Sequence, residues 1–411
     1  YNKKVYLSWE YNDTFEKFLV YRKPVGGEYT LIENNITSKS CELDENDYDN
    51  LEGYAISTVV NGEEGPKTEI KKEQFKYTFA GGNGTESTPY LIGTANQLKL
   101  LGDSEYLTKG YYYKLISDID LTQVTWTPIG TYSSDLSTSA FIGTFDGNYH
   151  KIKNLSYNKS DGANVGIFGY LYNATVTNLI IESANISAKQ YIGTLSGNAK
   201  SSKIIRVGVR NALLEGVYNN YVYIGGLIGN VAGGVIISEC FVDNVTVSAP
   251  NSDNARIGGL TGRVKLEEGA GDNSIEKSYA IGIVKFKSSL SNNIGGLIGL
   301  TSTVTGVTSK TYINQCYAAV APFNIAGGTN TNWKGFVGGD PVVAEVPSII
   351  NYFDKDISQT DSGSAKSELQ NGLTTSQMKT SSNFSNWDFI NTWTINDGYD
   401  YPRLKWEQNE K

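Results

Sequence analysis

Apolar and polar residues alternate over short stretches of this chain, as in IISECFVDNVTVSA from Ile236 to Ala249 and YAIGIVKFK from Tyr279 to Lys287. A period of two with many β-branched residues predicts strands, and the stretches are too short for the ten or more residues of a typical helix. Two phrases recur out of step with each other. In the first, glycine falls one and five residues after an aliphatic: IGTFDG at Ile142, IGTLSG at Ile192, IGGLIG at Ile224, IGGLTG at Ile257 and IGGLIG at Ile294, with shorter relatives VGIFG from Val165 and VGGD from Val337. In the second, an aliphatic stands three residues before a small or apolar position, at Ile152/Leu155, Val176/Leu179, Ile204/Val207, Ile237/Cys240, Ile275/Ser278 and Ile313/Cys316. From Ile192 onward the first phrase restarts after 32, 33 and 37 residues. The added residues are Asn, Ser, Asp and Gly between the phrases, so they are predicted to be surface loops.

One unit therefore reads as a short strand, a polar turn and a glycine-punctuated strand. Nothing between the glycine phrases has a sustained 3.6-residue period, which sets aside repeats with helical halves. The pattern predicts a parallel β-helix in which each unit adds a rung about 4.8 Å from the last and buries its apolar face on its neighbours. Repeated glycines mark tight corners or a close approach of backbone. In this reading Leu155, Leu179, Val207, Cys240, Ser278 and Cys316 form one inward ladder. Cys240 and Cys316 would lie two rungs, roughly 10 Å, apart, beyond disulfide reach, and are expected to be small buried hydrophobes. Cys41 belongs to another segment.

Three regions follow. Residues 1–74 lack the repeat and read as short alternating strands, VYLSWEY, KFLVYRK, YTLIEN, SCEL and GYAISTVV, parted by turns such as Asn61-Gly62; this predicts a small β-sandwich. Residues 75–349 carry the repeats, entered through FAGGNGTESTPYLIGTANQLKLL, where a helix from Thr94 with Ala95, Leu98 and Leu101 on one face is expected to cover the first rung. Residues 350–411 open on the polar stretch DISQTDSGSAKSELQNG, expected to be a loop, and end with Trp387, Trp393 and Trp406, expected to form a cap over the last rung. The fold class is thus all-β, a solenoid preceded by a sandwich.

Composition narrows the function classes. Lys and Arg number 35 against 43 Asp and Glu, a net charge of −8, and no basic stripe follows a phosphate backbone, so nucleic acid is not an expected partner. No apolar run approaches 18 residues, so no membrane span is expected. The sequence begins at Tyr1 without an initiator Met or signal peptide, as a mature or trimmed chain would. Abundant Tyr, Asn, Ser, Thr and Gly with one His and one Met suits an exported β-protein.

The pattern of residues 1–74 resembles a fibronectin type III domain, with Trp9 in an early strand and Tyr54 opening YAISTVVNGEEG; most of a first strand is missing and one residue is inserted before Asn61. Residues 78–406 resemble bacterial surface proteins with GLUG repeats, named for their glycine-leucine-glycine phrase. The match rests on GGNGTESTPYLIGTANQL, DIDL at Asp118, WTPIG at Trp126, GTFDGNYHKIKNL at Gly143, the IGGLIG phrases and the ending WTINDGYDYPRLKW. The resemblance implies an exported, right-handed parallel β-helix, often adhesin-like. Related repeats occur in non-catalytic parts of immunoglobulin A proteases.

The zinc motif of those proteases, HExxH, needs two histidines one helical turn apart. This chain has only His150, so metalloprotease activity is not expected, and His150 reads as an ordinary turn-packing residue. Glycoside hydrolysis needs two carboxyl groups within roughly 5 to 10 Å. Asp118 and Asp120 alternate on one strand and Asp146 could lie near, yet all three sit in phrases that read as framework. No catalytic residue and no cofactor is expected; a structural calcium, if present, would use Asp118 and Asp120. For ligand binding the candidates are Tyr218, Tyr221 and Tyr223, beside Tyr111-Tyr112-Tyr113, as rings on which sugars stack. The competing reading packs these tyrosines between rungs. The expectation is an exported, monomeric, non-enzymatic surface protein whose loops bind a host or matrix glycan or glycoprotein. The alternatives are a carbohydrate-active β-helix enzyme and a non-catalytic segment of a larger immunoglobulin A protease-like protein.

Overall fold

The computed structural model describes residues 3–45, 50–71, 78–287, 291–327, 333–339, 350–364, 366, 370–409 and 411. The chain divides into two compact units, Tyr1–Tyr77 and Thr78–Lys411. The boundaries expected at residues 74 and 349 lie outside the described residues. The first unit is antiparallel throughout. Lys3–Ser8 pairs with Ser40–Glu45, and Lys17–Pro24 lies between Thr30–Ile36 and Leu51–Val60 in a second sheet. Phe18, Val20, Tyr54 and Ile56 from the second sheet meet Leu7, Cys41 and Leu43 from the first in one buried cluster.

The second unit is built almost wholly of parallel strands, in sheets of 18, 6 and 5. Thr175–Glu182 pairs with Lys203–Arg210, Asn185–Ala188 with Leu213–Gly216, Tyr191–Ile192 with Tyr221–Gly225 and Ser196–Lys200 with Ile228–Ala232. Every segment meets its counterpart from the next repeat running in the same direction. Parallel partners cannot be joined by a tight hairpin, so the chain completes a circuit between them. The core is the stack of inward side chains so created. Phe145, Val176, Ile204, Ile237, Ile275 and Ile313 form one buried row, and Val165, Ile192, Ile224, Ile257 and Ile294 form another. Among the described residues no helix is long and apolar enough to cross a membrane.

Corners recur at fixed register. Asn178, Arg206, Glu239, Lys277 and Gln315 all have left-handed backbone, with φ between 47° and 54°. Only Asn among these adopts that conformation readily. The others are held there because circuits bond to each other, as where the Glu239 N–H donates to Glu276 O and the Lys277 N–H to Asn314 O. Immediately after each corner residue come Leu179, Val207, Cys240, Ser278 and Cys316, all fully buried. The Ser278 hydroxyl accepts from the Cys240 N–H, and Asn351 Oδ1 accepts from the Cys316 N–H. All three cysteines are free and buried, and burial pushes the Cys240 and Cys316 thiols up to about 12.

Three sequence assignments shift register. Leu155 does not belong to the row of Leu179: Ile152 pairs with Ile181, and the Leu155 carbonyl accepts from Asn185 N–H, beyond the next corner. The first circuit spends two more residues between Asp146 and Lys151 than its partner does between Thr177 and Ile180, so the phrase slides. IGTFDG at Ile142 likewise lies outside the glycine row, because Phe141 bridges Leu171 and Thr144 pairs with Thr175. Val337 bridges Ile298, and Trp333 takes the place opposite Ile294.

The coil opens with Tyr90–Ile92 paired to Tyr112–Leu115. A short helix, Ala95–Lys99, is capped by Thr94 accepting from the Gln97 N–H, and buries Leu98; Leu101 is buried in the next turn. The polar stretch expected to be a loop is in part a further turn of coil. Tyr352–Asp354 pairs with Asn371–Leu373, and Phe336 and Val337 N–H donate to Gly363 O. The tryptophan-rich ending is not confined to the last rung. Residues 384–409 form a strap along the outer face, where Phe241, Tyr279, Tyr317 and Tyr352 stand in register on four successive circuits. Trp387, Trp393 and Trp406 bury this outward aromatic row. With Met378, Phe384 and Leu404 they shield the four rings from water.

Candidate functional site

Tyr191 and Tyr223 occupy matching positions on adjacent circuits. Rung spacing stacks their rings, 4.9 Å apart and 5° from parallel. Arg263, from the following circuit, places its guanidinium 4.2 Å from the centre of the Tyr223 ring. Tyr223 is 8% exposed, with one face against Tyr191 and the other under Arg263, so neither face can receive a sugar. Arg263 is fixed by donating from Nε to Asn230 Oδ1 at 2.7 Å, and Asn230 donates to Asn198. Tyr218 packs partly on the core and lies beneath Lys189 Nζ, 5.1 Å from its ring centre. Tyr221 stands in the open, 43% exposed. Of the Tyr111-Tyr112-Tyr113 run, Tyr113 is buried and donates its hydroxyl to Tyr106 O, and Tyr111 packs edge-on to Tyr90.

The acidic residues of the first circuits are engaged in joining strands. Asp118 accepts from the Lys151 N–H and Lys153 Nζ, both at 3.0 Å, and lies 3.4 Å from His150 Nδ1. Asp120 accepts from Thr122 N–H and Oγ1 and from Asn154 Nδ2. Asp146 accepts from the Asn148 N–H and Asn178 Nδ2. Burial alone would raise the Asp118 carboxyl, but the Lys151 N–H and the Lys153 ammonium hold it below its ordinary range. Among the described residues no three His, Cys, Asp or Glu side chains gather as a metal site requires.

His150 sits in a tight turn, its N–H donating to Gly147 O. Burial, then the charge of Lys411, depress its imidazole below the ordinary 6.5, while Asp118 opposes them. A depressed base is neutral in the folded state, so its contribution to stability is present above pH 6.5 and is lost as pH falls through the folded value. Proton NMR titration of this single imidazole is expected to give a midpoint below 6.5. In Asp118→Asn, which removes the opposing charge, the midpoint drops further. A midpoint that rises in that variant would contradict the arrangement.

The deepest concentration of charge lies elsewhere, where the strap meets the outer face. Arg403 donates from Nη1 to Asp243 Oδ2 at 2.6 Å and to the Tyr279 hydroxyl at 2.8 Å. Tyr279 donates to Glu407 Oε1 at 3.0 Å, and Arg210 pairs with Glu407 Oε2 at 3.0 Å. Burial raises the Glu407 carboxyl, and its hydrogen bonds and the two guanidiniums pull the other way. Beside this network opens a cavity of about 490 Å³ whose rim carries Asn396, Asp400 and Gln408. The sequence conceals this site because Arg210 and Glu407 are 197 residues apart. One signal was present: an aromatic follows each of the buried Cys240, Ser278, Cys316 and Asn351, and alternation turns it outward.

No protein-family model matches the chain. It is similar to halomucin of Haloquadratum walsbyi, 29% identical over 189 residues, which are 44% of this chain and 2% of halomucin. It is also similar to an immunoglobulin A1 protease of Streptococcus pneumoniae, 28% identical over 232 residues, 56% of this chain and 11% of the protease. The chain thus corresponds to a small part of each curated relative. A crystal structure of a candidate immunoglobulin A1 protease from Bacteroides ovatus aligns with a TM-score of 0.54 at 20% identity, covering 80% of this chain and 95% of that one. At that identity the likeness concerns the fold alone.

Proposed function

We propose that this protein is a non-enzymatic binding module displayed outside a bacterial cell. In this reading residues 1–74 are a fibronectin type III-like β-sandwich spacer. Residues 75–349 are a right-handed parallel β-helix of GLUG-type repeats whose lateral loops contact a host or matrix glycan or glycoprotein, and residues 350–411 complete and cover it. The observation that carries the reading is the division of labour along the coil: its side chains interlock circuit to circuit, while strand ends beside the insertions leave groups such as Tyr221, the first residue of Tyr221–Gly225, exposed. A stacked core lets loops vary without disturbing the fold, which suits recognition. Asp118, Asp120 and Asp146 each hold neighbouring strands together, which speaks for framework over catalysis. The proposed contacts are Tyr218, between the strands Leu213–Gly216 and Tyr221–Gly225, and Tyr221 at the start of the second, with Tyr223 acting beneath them as a stacked support.

A second reading, favoured by the similarity over 56% of this chain to 11% of the pneumococcal protease, makes the chain a non-catalytic segment of a larger protease-like protein. Both readings are tested by binding of the purified chain to an array of mucin glycans, plant polysaccharides, matrix proteins and immunoglobulin A, with product analysis of every positive. Saturable binding without cleavage, weakened in Tyr221→Ala, is the expected result. Cleavage that survives purification would overturn the non-enzymatic reading.

A further inference from the structure

We propose that the cavity between the strap and the outer face of the coil is a second ligand site, one that takes a neutral sugar residue. The proposal rests on the reading of this protein as a glycan-binding module but draws its rim, Asn396, Asp400 and Gln408, from a segment remote in sequence from Tyr221. At about 490 Å³ the cavity falls in the range of small-molecule sites and has room for one or two sugar rings.

Its floor is rigid. Arg403 is locked between Asp243 and the Tyr279 hydroxyl, and Glu407 accepts from that hydroxyl, from Arg210 and from the Leu404 N–H at 2.7 Å. Tyr279 is fully buried, so the network cannot swing away. Polar groups already fixed lose little freedom when a ligand arrives. Asn396, Asp400 and Gln408 at the rim are exposed, and the lining includes Ile395. Carboxylate, guanidinium and carboxamide groups present two adjacent heteroatoms in a plane, the geometry that neighbouring hydroxyls on a sugar ring match. Ile395 supplies an apolar surface for the C–H side of such a ring.

Charge selects among sugars. Asp243, Asp400 and Glu407 face Arg210 and Arg403 across the lining, three negative groups against two positive. A carboxylated or sulfated sugar would meet the surplus negative charge, and a purely apolar ligand would strand the ion pairs without water. A neutral polyol satisfies both donors and acceptors. Because the coil provides Arg210 and Asp243 and the strap provides the rest, ligand bound here also fastens the strap.

The test is titration of the whole chain with galactose, glucose, mannose, fucose, N-acetylglucosamine, N-acetylgalactosamine and, as the anionic comparison, N-acetylneuraminic acid. Saturation-transfer NMR and calorimetry read the binding. At least one neutral sugar is expected to bind, and the double variant Asn396→Ala/Asp400→Ala to bind it roughly tenfold or more weakly, as loss of hydrogen bonds to a charged group implies. Both positions are exposed rim residues; should the double variant fail to fold, Gln408→Ala is measured in its place. The proposal is overturned if no sugar of the panel binds, if the variant binds unchanged, or if N-acetylneuraminic acid binds best. Array binding that is lost in Tyr221→Ala, together with monosaccharide binding that is absent or unchanged in the rim variant, sinks the cavity and leaves the proposed function standing. Sugar binding lost only in the rim variant, with no array ligand sensitive to Tyr221→Ala, does the reverse.

Discussion

Gly262→Ala is expected to destabilise the second unit by about 3 kcal/mol or more, the upper end of overpacking costs. A Cβ at this position would stand 2.5 Å from the Ile224 nitrogen, 2.6 Å from the Gly229 oxygen and 2.9 Å from the Arg256 oxygen. All three are backbone atoms of strands held by pairing on both sides, so no side chain can swing aside. The φ of Gly262 is not left-handed; the glycine is required for space. The same collision repeats at Gly229 against the Ile192 nitrogen and at Gly299 against the Ile257 nitrogen, each at 2.5 Å. Gly269 separates the two causes: its φ is +71° with no atom of the described residues within 4 Å of an added Cβ, so Gly269→Ala should cost only ~1 kcal/mol of backbone strain. Urea unfolding followed by circular dichroism measures both. A Gly262→Ala protein within ~0.5 kcal/mol of the parent would show that the sheets do not approach this closely.

Trp393→Ala is expected to release the strap before the coil melts. Trp393 is fully buried, stacked on Trp387 at 4.3 Å and flanked by Tyr279 and Tyr317 at 6.3 and 6.2 Å. Truncating such a side chain costs ~3–5 kcal/mol. That loss falls on one segment, because strap and coil meet through these rings, the Arg403–Asp243 pair and hydrogen bonds such as Trp406 Nε1 to Glu239 O. Circuits stacked on one another retain their own pairing and core. The expected signs are proteolytic nicking within residues 384–409, dye binding by the uncovered row of Phe241, Tyr279, Tyr317 and Tyr352, and a separate early unfolding step. Among the described residues the Trp393 Nε1 has no hydrogen-bond partner, so Trp393→Phe forfeits only part of the packing and should behave close to the parent. A Trp393→Ala protein that resists proteolysis and unfolds in one unchanged step would show that the strap does not depend on this ring.

Local sequence made the strands and most of the repeat legible, because each circuit must place an aliphatic at the same inward register as its neighbours. Val176, Ile204, Ile237, Ile275 and Ile313 were identifiable on that ground and do stack. Leu155 leaves its expected row because two extra residues at the preceding corner displace the phrase without changing its spelling, and Ile142 because its phrase runs between the Phe141–Leu171 bridge and the pairing of Thr144 with Thr175. The tyrosines were ambiguous for a related reason. An aromatic at a strand position looks the same whether its face is open or stacked, and only the neighbouring circuits put Tyr223 between Tyr191 and Arg263 while leaving Tyr221 exposed.

What the sequence determined by itself was periodicity: short strands, glycines where backbone must approach backbone, and inward rows that exclude a disulfide between Cys240 and Cys316. These depend on spacing within tens of residues, and spacing is written along the chain. What only the tertiary structure decided was the outer face. The burial of the outward aromatic row by residues 384–409, the linking of Arg210 to Glu407 across 197 residues and the cavity beside them arise from the return of a distant segment. No local pattern encodes where such a segment lands, because it is placed by the shape and exposed apolar surface that stacking has already produced.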